Sequence, residues 1–222
     1  MIANLEQILT GKTREHLVPL PNPLSDKHFL QAGVVDAFLA LQQAAKEAGF
    51  NLQPASTYRD FERQMLIWNA KFNGERKVHD DSGCAIDMAK LDDLHKIQAM
   101  MRWSAVPGSS RHHWGTEIDI FDPDLLPEGQ NLQLEPWEYQ TGGYFAPLAE
   151  WLHHNAEYFG FYFPFNGVNN IKVGYEPWHI SYRPISAEYE KLFSHEILQK
   201  SWQNEPLAGK SCLLEHFNQL FS

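Results

Sequence analysis

The ten residues Ser110-Arg111-His112-His113-Trp114-Gly115-Thr116-Glu117-Ile118-Asp119 constrain this chain more than any other stretch. They begin in a turn and run into a strand, Thr116 to Phe121. Successive side chains of a strand point to opposite faces. Ile118 and Ile120 therefore share one face, and Glu117, Asp119 and Phe121 share the other. The apolar pair requires a core on its side. The acidic pair requires a cleft or solvent on the other. Gly115 allows a bend between His112 and Asp119, so the two side chains can converge on one cation.

A second cluster, Glu176-Pro177-Trp178-His179, adds His179 as a third candidate ligand. In a regular strand Glu176 and His179, three residues apart, face opposite sides. Pro177 removes a ladder donor and holds Glu176 extended. An irregular backbone is expected there, and it lets both side chains reach one site. Two His and one carboxylate leave the fourth position of tetrahedral zinc open for water. A second carboxylate nearby can take that water's proton.

The rest of the chain reads as α+β, a small and mostly antiparallel sheet flanked by helices, with no βαβ rhythm. Periodicity predicts helices near 31–48, 61–73 (with Asp60 as N-cap), 91–103, 145–159, 187–201 and 208–220. Strands are expected at 50–57, 116–121, 161–165, 171–175 and 176–183, and loops at 74–90 and 122–143. The organisation expected is a single domain over 1–222, with 1–29 an extended lead-in (three prolines lie in 14–27) and 186–222 as C-terminal helices.

Composition narrows the function. With 18 Lys+Arg against 28 Asp+Glu the formal charge is −10, which argues against a nucleic-acid partner. Cys84 and Cys212 make neither a disulfide framework nor a cysteine zinc site. No uncharged apolar run approaches ~18 residues, so no membrane span is expected. The first residues lack the basic and apolar regions of a signal peptide. A cytoplasmic location is the expectation, with release by lysis or non-standard export as the alternative.

These motifs resemble the zinc D-alanyl-D-alanine carboxypeptidases of the VanY type, within the lysostaphin/D-Ala-D-Ala/hedgehog group of metallopeptidases. That pattern is S-x-H-x-x-G-x-A-x-D followed by E-x-W-H or E-x-x-H. Ser110, His112, Gly115 and Asp119 fill the first part; Glu176, Trp178 and His179 fill the second. The segment Ser56-Thr57-Tyr58-Arg59 is similar to the family's S-G-Y-R, with Gln64 five residues on. The resemblance covers roughly residues 30–185. It implies a Zn2+ cofactor held by His112, Asp119 and His179, Glu176 as general base, and Arg59 holding the terminal carboxylate of a peptidoglycan-derived peptide, helped by Gln64 and Ser110. The fork of an Arg guanidinium matches a carboxylate in geometry.

The implied reaction is removal of a C-terminal D-amino acid. An L,D-carboxypeptidase or a lysin-type endopeptidase with the same zinc site is a close alternative, and a non-catalytic zinc or peptide-binding module a more distant one. Glu117 stands where the pattern prefers Ala, and Thr57 where Gly is common. Glu117 either adds negative charge near the metal or pairs with Arg111 or Arg59. His113 is expected to be a neighbour of the site or a surface residue, and His153 and His154 to be solvated or capping. Trp114 and Trp178 either pack beside the site or wall its cleft. His79, Asp80, Asp81 and Asp87 have metal-like composition but lack a suitably placed third His.

Overall fold

The computed structural model describes residues 2–21, 26–168 and 172–221. In chain order the elements are α1 (Ile2–Leu9), β1 (Val18–Pro19), β2 (Phe29–Leu30), α2 (Ala32–Glu47), β3 (Gln53–Ser56), α3 (Phe61–Phe72), α4 (Asp93–Met101), β4 (Glu117–Phe121), α5 (Pro136–Tyr139), α6 (Ala146–Asn155), β5 (Phe161–Tyr162), β6 (His179–Tyr182), α7 (Arg183–Leu192), α8 (His195–Ser201), α9 (Lys210–Glu215) and α10 (Phe217–Phe221). The fold is α+β. A four-stranded sheet in the order β3-β4-β6-β5 is antiparallel throughout, and β1 pairs with β2 separately.

The alternation in β4 does what the sequence requires. Ile118 and Ile120, with Ile180 of β6, are fully buried in a core that includes Val34, Phe38 and Leu41 of α2 and Leu148 and Leu152 of α6. The opposite face of the same two strands carries Glu117, Asp119, His179 and Ser181, all buried as well. A second core joins α3, α4 and the C-terminal helices through Phe61, Trp68, Ile97, Met100, Leu198 and Trp202. Helix α3 starts where Asp60 accepts from the Arg63 N–H at 2.7 Å. This capping bond satisfies one of the free donors of the first turn.

Several expected boundaries shift. The lead-in is not extended throughout. Residues Ile2–Leu9 form α1, which ends at Gly11 (φ 74), and Val18–Pro19 pair with Phe29–Leu30. Leu9 is fully buried, and its carbonyl accepts from Trp114 Nε1 at 3.1 Å. Residues 22–25 of the lead-in lie outside the described residues, as does residue 171 of the strand expected at 171–175. The remainder of that strand is bend and coil, because its donors go elsewhere: Gly174 N–H bonds Arg102 O at 2.8 Å and Glu176 N–H bonds Phe165 O at 2.9 Å. The strand expected at 161–165 is only Phe161–Tyr162.

The strand expected at 176–183 is β6 alone, preceded by a turn at Pro177–Trp178 and followed at once by α7. Pro184 in the first turn of α7 suits a helix start, where its missing N–H costs nothing. The helix expected at 187–201 is two, since Ser194 caps α8 through the Ile197 N–H. The 122–143 loop contains the short α5, and the last helix divides into α9 and α10. Among the described residues no helix is long and apolar enough to cross a membrane.

Candidate metal and catalytic site

His112 sits in a single 3-10 turn, Arg111–Trp114, that closes at Gly115 with φ 69. A side chain at position 115 would be strained by that φ and would meet Leu17 and the backbone of Gln31. The bend aims His112 back over β4. Asp119 and His179 are directly opposed across the β4–β6 ladder, as are Glu117 and Ser181. In this way the 3-10 turn, β4 and the more distant β6 place His112, Asp119 and His179 within 4.8 Å of one another, ligand atom to ligand atom.

His112 Nδ1 lies 2.6 Å from Thr57 O and so donates to that carbonyl, which leaves the Nε2 lone pair facing Asp119 Oδ2 at 3.2 Å. His179 Nδ1 faces Asp119 Oδ1 at 3.0 Å, while its Nε2 lies 2.7 Å from Glu117 Oε2. These atoms suit zinc: tetrahedral ligands at about 2.0–2.1 Å are roughly 3.3 Å apart. The electrostatics also favour a cation. Burial lowers the His179 pKa, but its hydrogen bonds to Asp119 and Glu117 outweigh that and raise it to about 10. A proton on His179 or a metal ion there adds to the charges of Arg111 and Arg59 in compensating the two buried carboxylates.

Glu176 reaches the same place through the turn before β6. The His179 N–H bonds Glu176 O at 3.1 Å, and Glu176 Oε2 comes to 3.8 Å from His179 Nδ1. The irregular backbone expected around Pro177 is this turn. Burial, then the charge of Asp119, pushes the Glu176 carboxyl up to about 7 against the pull of His179, Arg59 and Lys71. A carboxyl tuned near neutrality is suited to proton transfer.

Arg59 closes another side. Its Nη1 donates to Gln64 Oε1 at 2.9 Å, its Nη2 to Ser56 Oγ at 3.3 Å, and its Nη2 stands 4.0 Å from Asp119 Oδ2. Gln64 is buried on the inner face of α3 with Phe61 and Trp68, and its Nε2 donates to Ala105 O at 2.6 Å. Gln64 therefore holds Arg59 in place. Ser110 is buried at the head of the His112 turn, but its hydroxyl caps nothing there; its carbonyl accepts from the His113 N–H at 3.1 Å.

His113 is no surface residue. Its Nδ1 donates to Arg59 O at 2.6 Å and its Nε2 accepts from the Gly108 N–H at 3.0 Å. Burial pushes its pKa down to about 3, so it is neutral and pins the backbone beneath Arg59. Glu117 pairs with Arg111 (3.4 Å), not with Arg59. Trp114 packs against Tyr189 and Phe193, and Trp178 joins the core beside Tyr139. His79, Asp80, Asp81 and Asp87 do not converge: His79 faces Glu135 at 3.5 Å and Asp81 pairs with Arg102 at 2.6 Å. His153 and His154 are exposed.

Two further residues stand beside the site. Thr57 supplies the carbonyl that fixes His112. Lys71 of α3 senses the charges of Arg59 and Glu176 and bonds Ser104 Oγ; burial, then Arg76 and Arg59, brings its pKa down to about 8. Its position seven residues after Gln64, two helical turns along one face, is the signal that locates it.

A family model described as VanY, D-alanyl-D-alanine carboxypeptidase, matches residues 27–185. The chain is 56% identical to an uncharacterized Haemophilus influenzae protein over 118 residues, 53% of this chain and 90% of that one. The fold is similar to the LdcB LD-carboxypeptidase (TM-score 0.55, 22% identity, 98% of this chain and 88% of that one). It is also similar to a mutant of the vancomycin resistance D,D-pentapeptidase VanY in complex with Zn(II) (TM-score 0.50, 25% identity, 84% of this chain and 94% of that one).

Proposed function

The chain belongs to the VanY family of D-alanyl-D-alanine carboxypeptidases, and from that premise we propose that it is a zinc-dependent carboxypeptidase removing a C-terminal D-amino acid from peptidoglycan-type peptides. The observation that carries this reading is the convergence of His112, Asp119 and His179 within 4.8 Å, with the Glu176 carboxylate 3.8 Å from His179. The Zn(II) in the similar D,D-pentapeptidase structure supports the choice of metal.

In this reading His112, Asp119 and His179 hold the zinc. Bound there, the ion supplies a Lewis acid that polarises the scissile carbonyl and acidifies water. Glu176 accepts the water's proton and returns it to the leaving amine. In the metal-free protein burial already holds its carboxyl near neutrality, at about 7, a range suited to proton transfer. Arg59, held by Gln64 and Ser56, takes the terminal carboxylate of the substrate, with Ser110 at the head of the neighbouring His112 turn as a further candidate contact. A guanidinium with its fork already fixed loses little freedom on binding. This clamp favours a carboxypeptidase over an endopeptidase, which has no terminal carboxylate to read.

Mass spectrometry of products from defined tetra- and pentapeptide stems, with and without chelator, tests the proposal. Release of D-Ala from the D-Ala-D-Ala pentapeptide, lost with chelator and lost when the substrate's C-terminus is amidated, is the expected result. Cleavage of the tetrapeptide alone assigns the L,D reaction instead. Cleavage of the amidated substrate assigns an endopeptidase, and turnover in chelator sinks the metal mechanism.

A further inference from the structure

Glu117 departs from the motif its neighbours match, standing where that pattern has Ala, and it is fully buried. A buried carboxylate is costly unless it is paired. Here its surroundings are complete. Oε1 accepts from Thr116 Oγ1 at 2.9 Å and from Ser181 Oγ at 2.7 Å. Oε2 lies 3.4 Å from Arg111 Nε and 2.7 Å from His179 Nε2. Arg111 is itself held by Tyr162 (2.8 Å) and Ser181 (3.0 Å) and lies over the Trp114 ring.

The placement follows from strand geometry. Glu117 and Asp119 are two residues apart on β4 and share a face, so their carboxylates sit roughly 7 Å apart. The imidazole of His179, opposite Asp119 on β6, lies between them with one nitrogen on each. Asp119, whose other oxygen faces His112 Nε2, meets Nδ1; Glu117 meets the far nitrogen, Nε2. The ring separates Glu117 from the three converging ligand atoms, so Glu117 is no ligand itself.

We propose that Glu117 is a positioning residue of the metal site: it keeps the His179 proton on Nε2 and so presents the Nδ1 lone pair to the cation. The inference rests on the zinc reading above and adds a carboxylate–histidine–metal relay to it. Arg111, Ser181 and Thr116 fix the carboxylate, the carboxylate fixes the ring, and the ring is aimed before metal arrives. Such outer partners raise ligand basicity, and their loss commonly costs 10–100-fold in metal affinity.

Zinc affinity measured by competition with a chromophoric chelator tests this on wild type and Glu117→Ala, alongside circular dichroism and thermal melting of the metal-free proteins. The expected result is one zinc per chain in both, bound about 10–100-fold more weakly by the folded variant. The double variant Glu117→Ala/Arg111→Met, which leaves no buried guanidinium without its counter-charge, carries the same expectation. Nitrogen-15 NMR of zinc-loaded wild type is expected to show His179 protonated at Nε2, a readout that a merely structural Glu117 does not control. Unchanged affinity in a folded variant, or a proton on His179 Nδ1, overturns the proposal. A wild type that takes up no zinc overturns the metal reading itself, a result distinct from both.

Discussion

Asp119 and His179 occupy one rung of the β4–β6 ladder, with Asp119 Oδ1 3.0 Å from His179 Nδ1. The other oxygen of the same carboxylate faces His112 Nε2 at 3.2 Å. Asp119 is thus the hub of the three-residue cluster. Asp119→Ala is expected to abolish stoichiometric zinc binding, read by metal analysis after dialysis. It also removes one of the two carboxylates that hold His179 protonated in the metal-free protein. The His179 pKa is therefore expected to fall from about 10, measurable by NMR titration.

Glu176→Gln separates metal binding from chemistry. The amide keeps the shape of the carboxyl but cannot take a proton. Since Glu176 stands 3.8 Å from His179 outside the three-ligand set, zinc content is expected to stay at wild-type level. The turnover number is expected to fall by about 10²–10⁴, the usual worth of a positioned base. Metal analysis and steady-state kinetics on one preparation check both halves; a variant that retains full turnover removes Glu176 from the mechanism.

How much of this was legible in the sequence depends on the range of the interaction. The period-two pattern of β4 and the capping Asp60 are local signals, and both appear where expected. The two faces of β4 followed from alternation alone. The turn at Pro177–Trp178 was foreshadowed by the proline, because a proline cannot donate to a ladder. Tertiary partners were not legible. Nothing near Glu117 in sequence names His179, 62 residues away, as its donor. The bond from Gln64 to Ala105 O depends on a loop 41 residues on. Helix α1 was hidden for a related reason. Its anchor is the contact between Leu9 O and Trp114 Nε1, across 105 residues, while the prolines after it dominate the local reading.

Gln64 and Arg59 are expected to act as one unit. Gln64 spends its oxygen on Arg59 and its amide nitrogen on Ala105 O, and Arg59 spends Nη1 on Gln64. Gln64→Ala leaves the guanidinium free to turn and is expected to raise KM for a carboxylate-terminated peptide more than it lowers kcat. Arg59→Ala is expected to have the larger effect. In the double variant the losses are expected to be non-additive, with a coupling of about 0.5–3 kcal/mol in kcat/KM, the range seen for residues in one network. Strict additivity would show that the two side chains serve the substrate independently.

His113 gives the fold a pH dependence that can be isolated. The folded protein keeps it neutral, with a pKa near 3, because burial penalises the charged ring; in the unfolded chain it titrates at about 6.5. Between those two values the unfolded chain binds more protons than the folded one, so stability rises with pH across this window and is lost as pH falls. The slope from this one group approaches about 1.4 kcal/mol per pH unit in mid-window. Protonation would also set a positive charge beneath Arg59, whose carbonyl accepts from His113 Nδ1 at 2.6 Å. His113→Gln removes the titration while keeping a polar side chain. It is expected to be less stable than wild type at pH 7.5, where the two ring hydrogen bonds are lost, and to show a flatter decline on acidification. Denaturant unfolding at intervals from pH 7.5 to 4.5 measures both curves. Parallel curves would place the acid sensitivity in other groups.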